Sequence, residues 1–153
     1  MEFEIRKASE KDLDILYEIE LECFGGDAFI KPQLAYCLTS PGFLTLVALV
    51  EEQPVGFITG FVESLNQELV GHIYTLDVKP DYRRKGVGAR LLNAFEYTLT
   101  QRGAKTFWLE VSVKNIPGRN LYLKAGYRLH ERLKDYYEPG KDAVRLKKNF
   151  ASS

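Results

Sequence analysis

Cysteine is scarce in this chain: Cys23 and Cys37 are the whole supply. Two thiols build neither a disulfide framework nor a four-ligand metal site. Both fall within apolar patterns, which suits buried free thiols, and no metal is expected. An excess of charge of either sign is also lacking. Lys+Arg and Asp+Glu both number 21, for a net charge of zero. The basic surplus of a dedicated nucleic-acid binder is therefore missing, and no direct nucleic-acid partner is expected. No apolar run approaches the ~20 residues that a bilayer-spanning helix needs, so no membrane partner is expected either. The opening MEFEIRKASEKD is charged rather than leader-like, and the expected location is cytoplasmic. Internal repeats and low-complexity segments are absent. What is present is 153 residues, 45% of them hydrophobic, which suits one domain over residues 1–153 with a core of ordinary size.

Pattern and punctuation divide the chain into short elements. Phe3–Lys7 alternates like a strand. Ser9 reads as an N-cap with Asp12 three residues on. Leu13, Leu16, Tyr17, Glu20 and Phe24 then keep helical spacing, with Ile15 and Ile19 widening the stripe, until Gly25-Gly26. Pro32 suits the first turn of a second helix through about Thr39. Phe43–Val50 and Val55–Glu63 read as an antiparallel hairpin around a turn at Glu51–Pro54, and Ser64–Glu68 as a polar connection to a strand at Leu69–Val78. A helix over Gly86–Arg102 buries Val87, Leu91, Leu92, Phe95 and Leu99. Lys105–Val113 is strongly strand-like. A helical crossover of this length joins parallel strands, so Leu69–Val78 and Lys105–Val113 are expected as the parallel centre. A further helix runs from near Asn115 to Ala125, Gly126 ends it, and Tyr127–Lys134 pairs with Ala143–Lys148 across a connection at Asp135–Asp142. The fold class is α/β: one mixed, largely antiparallel sheet flanked by helices.

The stretch Tyr82–Leu92, YRRKGVGARLL, hands a strand over to a helix. Glycine permits unusual backbone angles and close approach of a ligand to the main chain. A helix N-terminus offers unpaired N–H groups and partial positive charge, and Arg83, Arg84 and Lys85 add more. A phosphate or pyrophosphate suits such a turn, although a tight strand-to-helix turn in which the glycines merely fit has the same sequence. No Lys-Ser or Lys-Thr pair follows, so it is not a P-loop. No third glycine follows either, so it is not the dinucleotide fingerprint.

Arg83-x-x-Gly86-x-Gly88 resembles the RxxGxG/A motif of the GNAT acetyltransferases. GHIYTLDVKPDYRRKG, LEVSVKN at Leu109–Asn115, and LYLKAGY followed by KDYYEPGKDAVRL are similar, in order and spacing, to segments of N-terminal acetyltransferase catalytic subunits. The similarity runs from about Gly71 to Phe150. It points within the superfamily to the ribosomal-protein alanine acetyltransferases and the archaeal N-terminal acetyltransferases. It implies transfer of acetyl from acetyl-coenzyme A (acetyl-CoA), as co-substrate, to the α-amine of a protein or peptide, ribosomal proteins included, by a monomer or homodimer. By this matching, main-chain groups of Leu76, Asp77 and Val78 would pair with the acetyl-pantetheine arm. Arg84, Lys85, Gly86, Val87, Gly88 and Ala89 would hold the pyrophosphate, Asn115 would bind further along the arm, and Tyr122 would lie by the thioester sulfur.

Acetyl transfer needs a neutral amine, and an α-amine with a pKa of about 7.7–8.0 needs less help than a lysine near 10.4. Glu110 is the first candidate base, against a plain salt-bridged strand glutamate. His72 is the second, expected on one strand face with Tyr74, Leu76 and Val78. Tyr122, twelve residues after Glu110, is the candidate acid for the leaving thiolate, against a packed ring. Tyr136 and Tyr137 match tyrosines that grip the peptide in relatives, although adjacent strand residues point to opposite faces. Phe24, Asp27 and Phe29 stand where relatives carry a Phe-Pro-Trp-type segment walling the peptide groove. This departure leaves the acceptor open: a small amine, a polyamine or a protein lysine is the alternative, and a non-catalytic acyl-CoA-binding module a further one. Pro117-Gly118 also departs from the family, so the helix after Asn115 is expected to start one turn later.

Overall fold

The computed structural model describes residues 2–150. Strands are β1 (Glu4–Lys7), β2 (Phe43–Val50), β3 (Gln53–Leu65), β4 (Glu68–Val78), β5 (Thr106–Ser112), β6 (Arg128–Glu138) and β7 (Lys141–Asn149). Helices are α1 (Leu13–Phe24), α2 (Lys31–Thr39), α3 (Val87–Gln101) and α4 (Ile116–Lys124). One seven-stranded sheet runs β1-β2-β3-β4-β5-β7-β6, and β4 with β5 is its parallel pair. The expected α/β class and parallel centre are both present.

The sheet separates two apolar layers. Val87, Leu91, Leu92, Phe95 and Leu99 of α3 are all essentially inaccessible and pack with Ile73, Phe107 and Leu109. On the opposite face Leu16 and Ile19 of α1 and Leu34 of α2 pack on Val47 and Phe57. Each fully buried Leu, Ile or Phe contributes about 1.5–3 kcal/mol of transfer free energy, so these two stripes fix which way each helix faces. Ser9 donates its backbone N–H to Asp12 at 2.8 Å, half of the expected capping box, but a 3-10 turn over Glu10–Asp12 precedes α1.

Several boundaries differ from the sequence reading. The β2–β3 and β3–β4 connections shrink to two residues each, Glu51-Glu52 and Asn66-Gln67. All four hold left-handed φ, between 50° and 68°, the geometry that tight hairpin turns need; without glycine there, the sequence pattern understated it. The last hairpin turns at Pro139-Gly140, so Tyr136 and Tyr137 lie on β6 rather than in a long connection. Helix α4 starts directly after Asn115, whose side chain accepts the Gly118 N–H at 3.0 Å, rather than one turn later. Proline suits a first helical turn because its missing N–H is not needed there.

Candidate active site

The parallel pair holds for only four residues, from Val70 opposite Thr106 to Ile73 opposite Leu109. Beyond that point β4 and β5 part. From Thr75 onward β4 remains paired with β3, while its other edge has no strand ladder with β5. Unpaired N–H and C=O groups along a strand accept an extended ligand as an added strand. Leu76 and Val78 turn their main-chain groups to this edge, Asp77 turns its own to Phe57 of β3, and the Val78 carbonyl already accepts from Cys23 and Arg83. The edge leads into Pro80–Tyr82 and the start of α3, where Gly86 has φ +86° and Arg84 φ +62°. The left-handed Gly86 is the N-cap of α3, whose first N–H groups have no partner within the helix. Lys85 lies 5.8 Å over the Tyr82 ring. Gly88 is buried, and a Cβ there would come 2.8 Å from Leu121 Cδ1. An open strand edge ending at a helix N-terminus has the donors that an extended ligand with an anionic end requires.

Two stretches of β4 differ in face because of an irregularity. Register with β3 shifts between Thr59 and Gly60, which leaves Tyr74 as the extra residue. Leu76 and Val78 consequently pack on the α3 side. Thr75 and Asp77 point toward α1, where the Thr75 hydroxyl lies 2.6 Å from Asp77 Oδ1 and 3.3 Å from Glu20 Oε1. His72 therefore does not share a face with Leu76 and Val78, although its ring meets Tyr74 edge-on at 5.0 Å. A bulge flips every later side chain, and no residue in this stretch advertises it.

At the mouth of the split, His72 Nε2 lies 2.6 Å from Glu110 Oε1. Arg145 Nε donates to Glu110 Oε2 at 2.8 Å, and another guanidinium nitrogen of Arg145 reaches Glu131 at 2.7 Å. Burial raises the Glu110 pKa, but the hydrogen bonds and charges of His72 and Arg145 outweigh it and hold the carboxyl below its usual range. Glu110 is thus an ionised group with both oxygens occupied. Facing an ionised carboxylate, which only accepts, His72 Nε2 is the donor of this hydrogen bond. Arg145 had no sequence signal of its own, because only the β5–β7 register places it beside Glu110.

Tyr122 is buried, its ring 5.7 Å from Tyr127. Burial, then the charges of Asp77 and Tyr137, push its phenol far up, so it keeps its proton. Asn115 holds the first turn of α4 through its side chain. Tyr136 and Tyr137 do not point to opposite faces: their rings meet edge-on at 5.0 Å. The left-handed Asp135, φ +54°, and a register shift between Leu133 and Glu138 break the alternation there. Burial, then the neighbouring Tyr136, Glu110 and Asp27, raise Tyr137 to about 12.

Across from this hairpin, Phe24 is half-buried at the end of α1, and Phe29 packs in the α1–α2 cluster. Asp27 is exposed and lies 3.4 Å from Lys141 Nζ. That exposed contact links the α1–α2 loop to the β6–β7 hairpin.

Sequence reasoning did not anticipate side-chain roles beside the β4 edge. Asp77 is buried, and its Oδ2 has no hydrogen-bond partner among the described residues. Burial and the adjacent Glu20 raise its pKa well above the ordinary value, which favours the protonated acid; Thr75 and Arg83 oppose them. Cys37 is buried as expected. Cys23 is only half-buried, and its thiol donates to the Val78 carbonyl at 3.5 Å, while Arg83 donates to that carbonyl at 2.9 Å. Burial, then Asp77, raise the Cys23 thiol to about 11, and Arg83 and the Val78 carbonyl pull the other way.

Residues 13–127 match the family model described as "Acetyltransferase (GNAT) family". The chain belongs to the GNAT acetyltransferase family. It is an acetyl-CoA-dependent N-acetyltransferase. An uncharacterized N-acetyltransferase of Methanocaldococcus jannaschii is 37% identical over 141 residues, covering 92% of this chain and 87% of that protein. An N-alpha-acetyltransferase of Saccharolobus solfataricus is 31% identical over 155 residues, covering 93% and 90%. The crystal structure of a ribosomal-protein alanine N-acetyltransferase from Escherichia coli superposes with a TM-score of 0.85 at 22% identity, covering 99% of this chain and 96% of that one, and so shares the fold. Among the described residues of this GNAT enzyme no helix is long and apolar enough to cross a membrane.

Proposed function

We propose that this enzyme acetylates the α-amine of protein chains, with His72 as the base and Glu110 as the residue that positions it. The observation that carries the reading is the His72–Glu110–Arg145 array at the mouth of the β4–β5 split. An imidazole has an ordinary pKa near 6.5. It is far better matched to an α-ammonium near 7.7–8.0 than to a lysine near 10.4. Glu110, ionised and doubly bonded, is a poor proton acceptor but a good anchor, as the carboxylate is in a Ser-His-Asp triad. The relative named N-alpha-acetyltransferase, matched over nearly its full length, supports the same acceptor.

When bound, acetyl-CoA supplies an activated acetyl thioester. Leu76 and Val78 offer the strand edge that orients it, and Arg84–Ala89 offer amide hydrogens and charge for its pyrophosphate. Asn115, which caps α4, stands beside the path of the arm. His72 Nδ1 accepts the proton that the attacking amine gives up. Tyr122, whose phenol is held protonated, donates a hydrogen bond to the departing sulfur rather than surrendering its proton; the coenzyme leaves as a thiolate that solvent protonates, and His72 gives the amine's proton back to solvent. Tyr136 and Tyr137, with Phe24, Asp27 and Phe29 opposite, form the two walls between which a flexible chain end enters. Ribosomal proteins are the acceptor class that the shared fold with the E. coli enzyme suggests.

Steady-state acetylation of paired peptides tests the reading. One peptide carries a free α-amine and no lysine, the other a blocked α-amine and one lysine. Transfer to the first and not the second is expected. Transfer to the second alone assigns the enzyme to side-chain amines, and coenzyme binding without transfer to any amine would leave it a binding module.

A further inference from the structure

The sheet face that holds the dyad is only half covered. Helices α1 and α2 lie over β2, β3 and β4, while β6 is exposed along nearly its whole length. Cross-strand partners share a face, so the registers define a row of side chains across the sheet: Phe43, Phe61, His72, Trp108, Lys147 and Arg128. The adjacent row along β5 and its partners is Glu110, Arg145 and Glu131. Trp108 thus lies immediately beside His72, on the uncovered side of it.

The surroundings of Trp108 are cationic. Lys147 Nζ sits 4.8 Å over the indole and the Arg145 guanidinium 6.0 Å from it, while His130 meets it edge-on at 5.1 Å. The indole N–H is buried and has no acceptor among the described residues. Arg145 is neutralised by Glu110 and Glu131. Lys147 and Arg128 have no carboxylate partner among the described residues; Arg128 reaches only the backbone carbonyls of Leu123 and Tyr127. Two cations without a carboxylate partner among the described residues, one of them held over the indole, are a place for an anion.

We propose that Trp108, Lys147, Arg128 and His130 form a subsite for an acidic side chain of the acceptor, at the second to fourth residue from its α-amine. This rests on the α-amine reading above. The charge of the subsite is complementary to Asp or Glu, and the subsite continues directly from the row that contains His72. Neighbouring strands lie about 4.8 Å apart, so Lys147 stands two strands, roughly 10 Å, from His72. An extended peptide covers that distance in about three residues. Lys and Arg in the same positions of an acceptor would meet like charge and be disfavoured.

The test compares lysine-free peptides that differ only in carrying Glu, Gln or Lys at residues two to four. Acidic peptides should show kcat/KM roughly tenfold above the neutral ones, through KM, and the gap should narrow at high salt. Lys147→Glu should invert the order so that Lys-bearing peptides are preferred. Trp108 is the chain's one tryptophan, so its fluorescence gives a readout that does not depend on turnover. An α-acetylated acidic peptide should perturb the emission, and its Gln counterpart should not at equal concentration. Trp108→Phe should weaken the acidic preference while melting as a folded protein. The proposal is overturned if acidic and neutral peptides are acetylated equally, if the preference survives Lys147→Glu, or if an oligoribonucleotide but no acidic peptide perturbs Trp108. Equal α-amine acetylation regardless of charge removes this subsite alone. Absence of α-amine acetylation in every peptide removes the subsite and the function it rests on.

Discussion

A double-mutant cycle on His72 and Glu110 separates an anchored imidazole from a carboxylate base. In the structure Glu110 takes one hydrogen bond at 2.6 Å from His72 and one at 2.8 Å from Arg145. Both partners bear N–H donors, and hydrogen bonds to a charged group contribute about 1.5–3 kcal/mol each. Glu110→Gln keeps the shape but presents an amide NH2 to one of those donors. Either Arg145 loses its partner or the imidazole must turn or exchange its proton to the other nitrogen. Positioned acid–base catalysis is worth about 10²–10⁴-fold, so kcat should fall by roughly 10²–10³ in Glu110→Gln. His72→Gln should fall as far or further. Because the two act as a unit, the double variant should be no slower than His72→Gln, a coupling of several kcal/mol. Coenzyme affinity by calorimetry should stay within about threefold of wild type, since neither residue lies on the coenzyme edge. The reasoning is refuted if His72→Gln retains near-normal kcat while Glu110→Gln abolishes it, because Glu110 would then take the proton itself. Fully additive losses would also refute it.

Other consequences are as direct. Gly86→Val forces a β-branched residue into φ +86°, at a cost of about 1–2 kcal/mol, and displaces the amides at the α3 terminus; titration calorimetry should show coenzyme Kd raised by about tenfold or more. Tyr122→Phe should lower kcat about a hundredfold, as when one hydrogen-bond donor to a developing charge is removed, and leave coenzyme Kd little changed, and unaltered turnover would remove the phenol from the chemistry. Asp77 titrates well above its unfolded value of about 3.9, so its stabilising effect is full below that pH and declines as pH rises toward the folded-state value. Each unit of that difference corresponds to about 1.4 kcal/mol. Asp77→Asn removes the titration, so its Tm relative to wild type should be higher at pH 8 than at pH 4; parallel melting curves across that range would contradict the buried acid.

The features legible in the sequence are those that depend on composition or on one residue's backbone. Gly86 had to be glycine for a left-handed turn. The α3 stripe from Val87 to Leu99 could be buried only one way, and the β-rich runs marked most of the strands. What escaped depends on contacts between distant segments. The extra residue at Tyr74 turned Asp77 toward Glu20 and separated His72 from Leu76. Asp135 took a left-handed angle without being glycine and brought Tyr136 against Tyr137. Glu110 and Tyr122 were singled out by motif, but the binding of both Glu110 oxygens required the β4–β5 and β5–β7 registers, which bring its hydrogen-bond partners His72 and Arg145 in from 38 and 35 positions away.

The claim that a flexible chain end delivers its α-amine to the β4–β5 split is tested most directly with two conjugates of coenzyme A. In one, an acetyl bridge joins the coenzyme to a peptide's α-nitrogen; in the other, the same bridge joins it to a lysine side-chain nitrogen in a peptide of equal length. Calorimetry should find the α-linked conjugate at least a hundredfold tighter, about 2.7 kcal/mol. Equal binding of the two, or tighter binding of the lysine-linked one, would contradict the account.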